Sequence, residues 1–83
     1  MPTEENKQGV LAAVQQNGKA LRYASDELRD DQEVVMAAVK QDGRALQYAS
    51  DELRDNRNFI LQAVEINGYV LQYASDELRA VSY

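Results

Sequence analysis

The amino-acid sequence predicts an all-α protein built from three stacked copies of one 25-residue helix–turn–helix unit. Three observations carry that expectation. Glycine recurs at 18, 43 and 68, tyrosine at 23, 48 and 73, and leucine at 28, 53 and 78, always 25 residues apart. Eleven of the 25 unit positions are identical in all three copies, and Tyr-Ala-Ser-Asp-Glu-Leu-Arg stands unchanged at 23–29, 48–54 and 73–79. Composition is the third: one proline, four glycines and few aromatics leave the core to Leu, Val, Ile and Ala, which suits closely packed helices. In this frame the chain, 1–83, is a single helical-repeat domain with a leader at 1–6, units at 7–31, 32–56 and 57–81, and a tail at 82–83.

The middle unit shows how each piece is specified. Asp30-Asp31-Gln32-Glu33 places a cap residue three before a glutamate, which is capping-box spacing. Val35, Ala38 and Val39 then recur at i, i+3, i+4, so one face is apolar and helix A is expected over 32–42. Gly43 stands where a left-handed residue ends a helix, and Gly18 and Gly68 take the same role. Beyond it, Leu46, Ala49 and Leu53, flanked by Ala45 and Tyr48, carry a second apolar stripe and predict helix B over 45–53. Ser50-Asp51 is a poor interior pair because both side chains compete for backbone groups, so helix B should break there into a short helix and a 3₁₀ turn. One hairpin of this size cannot bury its own apolar face. Stacking three supplies each with a neighbour and favours a short α-solenoid over the rival compact six-helix bundle.

Composition also excludes function classes. The net charge of −5 opposes the basic footprint that nucleic acid or anionic lipid would require. Cysteine and histidine are both absent, which removes disulfides and the usual zinc and haem ligands. No apolar segment follows the polar N-terminal stretch, so a cytosolic location is the default expectation.

The stretch from Glu33 to Arg54, with its Gly-x-Ala-Leu-x-Tyr-Ala-Ser core at 43–50, resembles the tandem repeats of the family called domain of unknown function 4116. The resemblance covers all three units. It implies a helical array, and it carries over no catalytic or binding residue.

The residues themselves offer little chemistry. Asp26/Glu27, Asp51/Glu52 and Asp76/Glu77 are paired carboxylates, but a catalytic pair needs two environments that push its pKa values apart. A pair repeated in every unit sees similar surroundings each time. Asp26–Arg29, Asp51–Arg54 and Asp76–Arg79 at i, i+3 read instead as surface ion pairs worth about 0.2–0.5 kcal/mol each. The acidic run 26–33 lacks the alternating ligands and central glycine of a calcium loop, and capping by Asp30 or Asp31 explains it. The tyrosine ladder is expected to pack between units with its hydroxyls at the rim. The expectation is therefore no enzyme, no metal and no cofactor.

Recognition should lie where the copies differ. Lys19, Arg44 and Tyr69 share the position after the glycine. Gln15, Lys40 and Glu65 share another, and Arg22, Gln47 and Gln72 a third. The third unit departs in one direction: Ile66 replaces Gln16 and Gln41, Phe59 replaces Gly9 and Val34, Val81 replaces Asp31 and Asn56, and Tyr83 ends the sequence. Ile66, Tyr69, Val81 and Tyr83 either pack over the open end of the core, the favoured reading, or form a self-association or partner surface. The candidate interaction surface is Lys19, Arg44, Phe59, Ile66, Tyr69 and Tyr83. The leading reading is a non-enzymatic protein-interaction scaffold with a protein partner. The alternative is a structural or self-assembling module, an excised or consensus-like array without a partner of its own.

Overall fold

A computed structural model describes residues 7–76 and 78. Each unit contains a long α-helix, a 3₁₀ helix and a short α-helix. The first comprises α1 (Lys7–Gln16), η1 (Gly18–Tyr23) and α2 (Asp26–Arg29). The second comprises α3 (Gln32–Gln41), η2 (Gly43–Tyr48) and α4 (Asp51–Arg54). The third comprises α5 (Arg57–Ile66) and η3 (Gly68–Tyr73), with helical backbone again at Asp76 and Leu78. There is no strand among the described residues, and no helix among them is long and apolar enough to cross a membrane.

Three short polar side chains cap the three helices of the second unit and again those of the third. At the entry to the middle unit Asp31 accepts from the Glu33 and Val34 N–H groups at 2.9 and 3.2 Å and starts α3. Asp42 accepts from Arg44 N–H at 3.0 Å and starts η2, and Ser50 accepts from Leu53 N–H at 3.1 Å and starts α4. Asn56, Asn67 and Ser75 repeat the set in the third unit. The expected break in helix B is present, with Ala49 and Ser50 both extended at φ −71° and −61°, ψ 162° and 157°. The expected Asp30–Glu33 capping box does not form. Asp31 is the cap, Asp30 accepts instead from the Ser50 hydroxyl, and Glu33 pairs with Lys7 at 2.9 Å.

The glycines also depart from expectation. None of Gly18, Gly43 and Gly68 adopts a positive φ. The helix ends on Asp42, extended at φ −157°, ψ 110°, and the glycine opens the following 3₁₀ helix. Its role is close approach between units. A Cβ on Gly18 would lie 2.6 Å from the Ala38 carbonyl oxygen of α3, and one on Gly43 would lie 2.7 Å from the Asn67 carboxamide. On Gly68 it would meet nothing within 4 Å.

The units stack in chain order, with α1 against α3, α3 against α5, η1 against η2 and η2 against η3. Burial separates two faces of each unit. One face looks back toward the preceding unit: Gly9, Val10, Ala13 and Ala20 hold these positions in the first unit and are half-buried or exposed. Their counterparts are buried throughout, as Val34, Val35, Ala38 and Ala45 in the second unit and Phe59, Ile60, Ala63 and Val70 in the third. The other face looks forward. Val14 and Leu21, and then Val39 and Leu46, are completely buried there, whereas Val64 and Leu71 in the third unit are only half-buried. The middle unit, enclosed on both faces, forms the centre of the core. The predicted apolar positions Val35, Ala38, Val39, Ala45, Leu46, Ala49 and Leu53 all lie in it.

Backbone and side-chain rungs fix the register. Ser50 N–H donates to Arg29 C=O at 2.9 Å, and Ser75 N–H donates to Arg54 C=O at 2.8 Å. The Ser75 hydroxyl donates to Asp55 at 2.6 Å, as Ser50 does to Asp30 one unit earlier. Gln41 reaches back to accept from Gly18 N–H at 2.8 Å.

Candidate interaction surface

The position after each glycine differs in all three units, and all three side chains there point outward. Lys19, Arg44 and Tyr69 are exposed, Tyr69 at 68%. They follow Asn17, Asp42 and Asn67, whose cap hydrogen bonds fix the backbone from which they project. Because η1, η2 and η3 lie side by side, the three form one row along the stack.

Arg44 and Tyr69 meet at a cleft of about 500 Å³ between the second and third units, lined also by Asp42, Asn67, Gln72 and Tyr73. Arg44 is held in place by a forked pair of bonds to Asp42, Nε to Oδ1 at 3.1 Å and Nη2 to Oδ2 at 3.0 Å. That guanidinium and the Arg44 N–H hold the Asp42 carboxyl below its ordinary range, with Lys19 adding to the effect. The fork leaves an oriented cation edge beside the two tyrosine rings. Such an arrangement can grip a planar or carboxylate-bearing group.

A second ion-pair cluster joins the first two units. Lys7 sits between Asp31 at 3.1 Å and Glu33 at 2.9 Å, and both carboxylates hold its ammonium protonated beyond the usual range, Glu33 more strongly. Burial alone would raise the Asp31 carboxyl, but Val34 N–H and Lys7 outweigh it and the net displacement is downward.

Carboxylates line two equivalent clefts, one of about 450 Å³ around Asp26, Asp30 and Asp51, the other of about 730 Å³ around Asp51, Asp55 and Asp76. Asp26 pairs with Arg29, and Asp51 with Arg54 at 2.7 Å, as the i, i+3 spacing predicts. The Asp76–Arg79 pair lies outside the described residues. Among the described residues no three His, Cys, Asp or Glu side chains gather closely enough to hold a metal ion.

The remaining candidates divide. Phe59 is 1% exposed, so it cannot present a surface; it occupies the backward-facing position of Gly9 and Val34 and packs beneath the second unit. Ile66 is 44% exposed and, with Tyr69, stays on the surface instead of folding over the core. Tyr83, with Val81, lies outside the described residues. Sequence reasoning missed Leu61, 56% exposed, whose equivalents Leu11 and Met36 are half-buried. The only available signal was its position on the forward face of the last copy.

The tyrosine ladder is uneven. Tyr48 and Tyr73 are half-buried between units as expected, but Tyr23, in the first unit, is 77% exposed. The Arg22 guanidinium lies 5.2 Å from the Tyr23 ring and 5.7 Å from that of Tyr48, a cation–π bridge across the first junction.

The arrangement defines a helical-repeat protein whose varied residues ride on an unvarying frame. The chain belongs to the family described as Domain of unknown function (DUF4116), whose model matches residues 6–54 and again 31–79. Each match spans two units, and the second unit serves in both. No curated protein and no solved structure matches the chain.

Proposed function

We propose that this protein is a non-enzymatic interaction scaffold, a short α-solenoid that holds a protein partner along the row Lys19, Arg44 and Tyr69. The observation that carries this reading is the cleft in which Arg44, oriented by Asp42, stands beside Tyr69 and Tyr73. Arginine and tyrosine are the residue types that dominate binding energy at protein interfaces. Ile66 adds apolar area to the same unit, and Lys19 adds a cation at the far end of the row. A partner segment carrying a carboxylate and a flat side chain fits this chemistry. The net charge of −5 favours a protein over nucleic acid or anionic membrane, and a cytosolic setting belongs to the same reading.

Selection of a random peptide display library on the immobilised protein tests it. Enriched peptides should carry acidic residues, and Arg44→Ser or Tyr69→Ser should abolish their binding while Lys40→Ser leaves it intact. Enrichment that ignores both substitutions, or none at all, would remove the row as a recognition surface.

A further inference from the structure

We propose that a second copy of this chain stacks its first unit onto the third, head to tail, repeating between molecules the contact that joins units within one. The row Lys19–Arg44–Tyr69 plays no part in this inference.

The forward face of the third unit is built like the two that are covered. Leu61, Val64, Gly68 and Leu71 stand where Leu11, Val14, Gly18 and Leu21, and then Met36, Val39, Gly43 and Leu46, receive the next unit. In the covered units this glycine is buried, because the following unit comes so close that a Cβ would collide with it. Gly68 keeps the same residue with open space in front of it, and Leu61 beside it is 56% exposed. The third unit therefore retains the acceptor half of an interface whose donor half the molecule has already used twice.

The matching donor half that remains is the backward face of the first unit. Val10, Ala13 and Ala20 lie there, half-buried or exposed, with Tyr23 beside them. Gln16 and Asn17 edge this face as Gln41 and Asp42 do in the second unit. Gln41 provides the side-chain lock on Gly18 N–H at 2.8 Å, and Asp42 is the residue against which Gly18 fits. The third unit has Ile66 in place of that glutamine. Gln16, which is exposed, is thus the residue able to repeat the lock, with Gly68 N–H as its donor.

Two positions make the contact between molecules weaker than the internal one. Gly9 stands where Val34 and Phe59 fill the internal junctions, and Ala80 stands where Asp30 and Asp55 receive a serine hydroxyl. Each molecule has one acceptor face and one donor face at opposite ends. Such a heterologous contact does not close at two copies, and growth continues with concentration.

Sedimentation of the full chain from micromolar to millimolar concentration tests this. The weight-average mass should rise beyond two copies without a plateau. Gly68→Gln should remain monomeric with its thermal midpoint kept, since a Cβ at this position meets nothing within 4 Å. Gly9→Val should tighten association about tenfold by filling the gap at the junction. Wild-type and Gly9→Val chains that both stay monomeric at millimolar concentration overturn the proposal. So does a mass that stops at two copies, which marks a symmetric pairing of like faces. Association of Gly68→Gln at the wild-type level overturns it as well.

Discussion

One methyl group added in turn to Gly18, Gly43 and Gly68 should give three different stabilities, although the three residues share one repeat position. Replacing glycine by alanine where the backbone tolerates it stabilises a protein by about 0.4–1 kcal/mol, because the unfolded chain has fewer states to lose. Gly68→Ala should show that gain in full, since its Cβ meets nothing within 4 Å. At Gly43 the Cβ meets the Asn67 carboxamide at 2.7–2.9 Å. That group can rotate away, but it then surrenders its cap on Tyr69 N–H at 3.0 Å, a loss of about 1 kcal/mol that roughly cancels the gain. At Gly18 the obstacle is the Ala38 carbonyl of α3 at 2.6 Å, with Asp42 Cβ at 3.1 Å behind it. Backbone cannot swing aside, so the whole first junction must open, at the cost of about 1–3 kcal/mol typical of overpacking. Urea unfolding followed by circular dichroism reads the series. With a slope of about 1 kcal/mol per molar urea for a chain of this size, the midpoints of Gly18→Ala and Gly68→Ala should lie more than about 1 M apart, with Gly43→Ala between them. Three coincident midpoints would refute the assignment of these glycines to close approach between units.

Other outcomes follow from the packing and the caps. Leu46→Ala removes a completely buried side chain from the enclosed middle unit and should cost about 2–5 kcal/mol in the same unfolding assay. Ser50→Ala takes away both the cap on Leu53 N–H and the hydroxyl bond to Asp30, and should cost about 1–2 kcal/mol. Asp31 and Asp42 have carboxyl groups displaced downward in the folded protein, so the stability they contribute is present above the unfolded value near 3.8 and is lost as pH falls through the lower folded value. The variant carrying Asp31→Asn and Asp42→Asn keeps both caps, as Asn56 and Asn67 do in the next unit, and its thermal midpoint should fall less steeply below about pH 4. Lys7 behaves oppositely: its contribution is present below the unfolded value of 10.5 and disappears as pH rises through the higher folded value. Lys7→Met should therefore flatten the midpoint's decline on the alkaline side.

The architecture was legible because repetition is written directly in the residues. A helix of 3.6 residues per turn shows in Val35, Ala38 and Val39, and the break after Tyr48 shows in the local competition of Ser50 and Asp51 for backbone groups. Features created by one unit pressing on the next were harder to read. The glycine looked like a left-handed helix end because that is its commonest local use, whereas the actual cause at Gly18 is the Ala38 carbonyl of α3 in the next unit. Phe59 looked like surface because Gly9 and Val34 precede it at the same position. Burial there depends on whether another unit packs against its backward face, which a single copy cannot reveal. Leu61 escaped notice for the converse reason: it resembles Leu11 and Met36 in kind and differs only in being last. The row Lys19, Arg44 and Tyr69 was visible as variation, but the cleft that joins its last two members required the stacking of η2 and η3.

The rungs from Ser50 N–H to Arg29 C=O and from Ser75 N–H to Arg54 C=O run between main-chain atoms. These two rungs themselves ask nothing of side-chain identity, because the serine and arginine backbone that every copy supplies forms them. Loss or gain of a whole copy would keep this main-chain rung available at each junction, while the side-chain contacts around it would change with the copies that meet. The two family matches are displaced from one another by a single repeat length. Array length is thus a quantity that can change in whole steps while the main-chain part of the seam is kept.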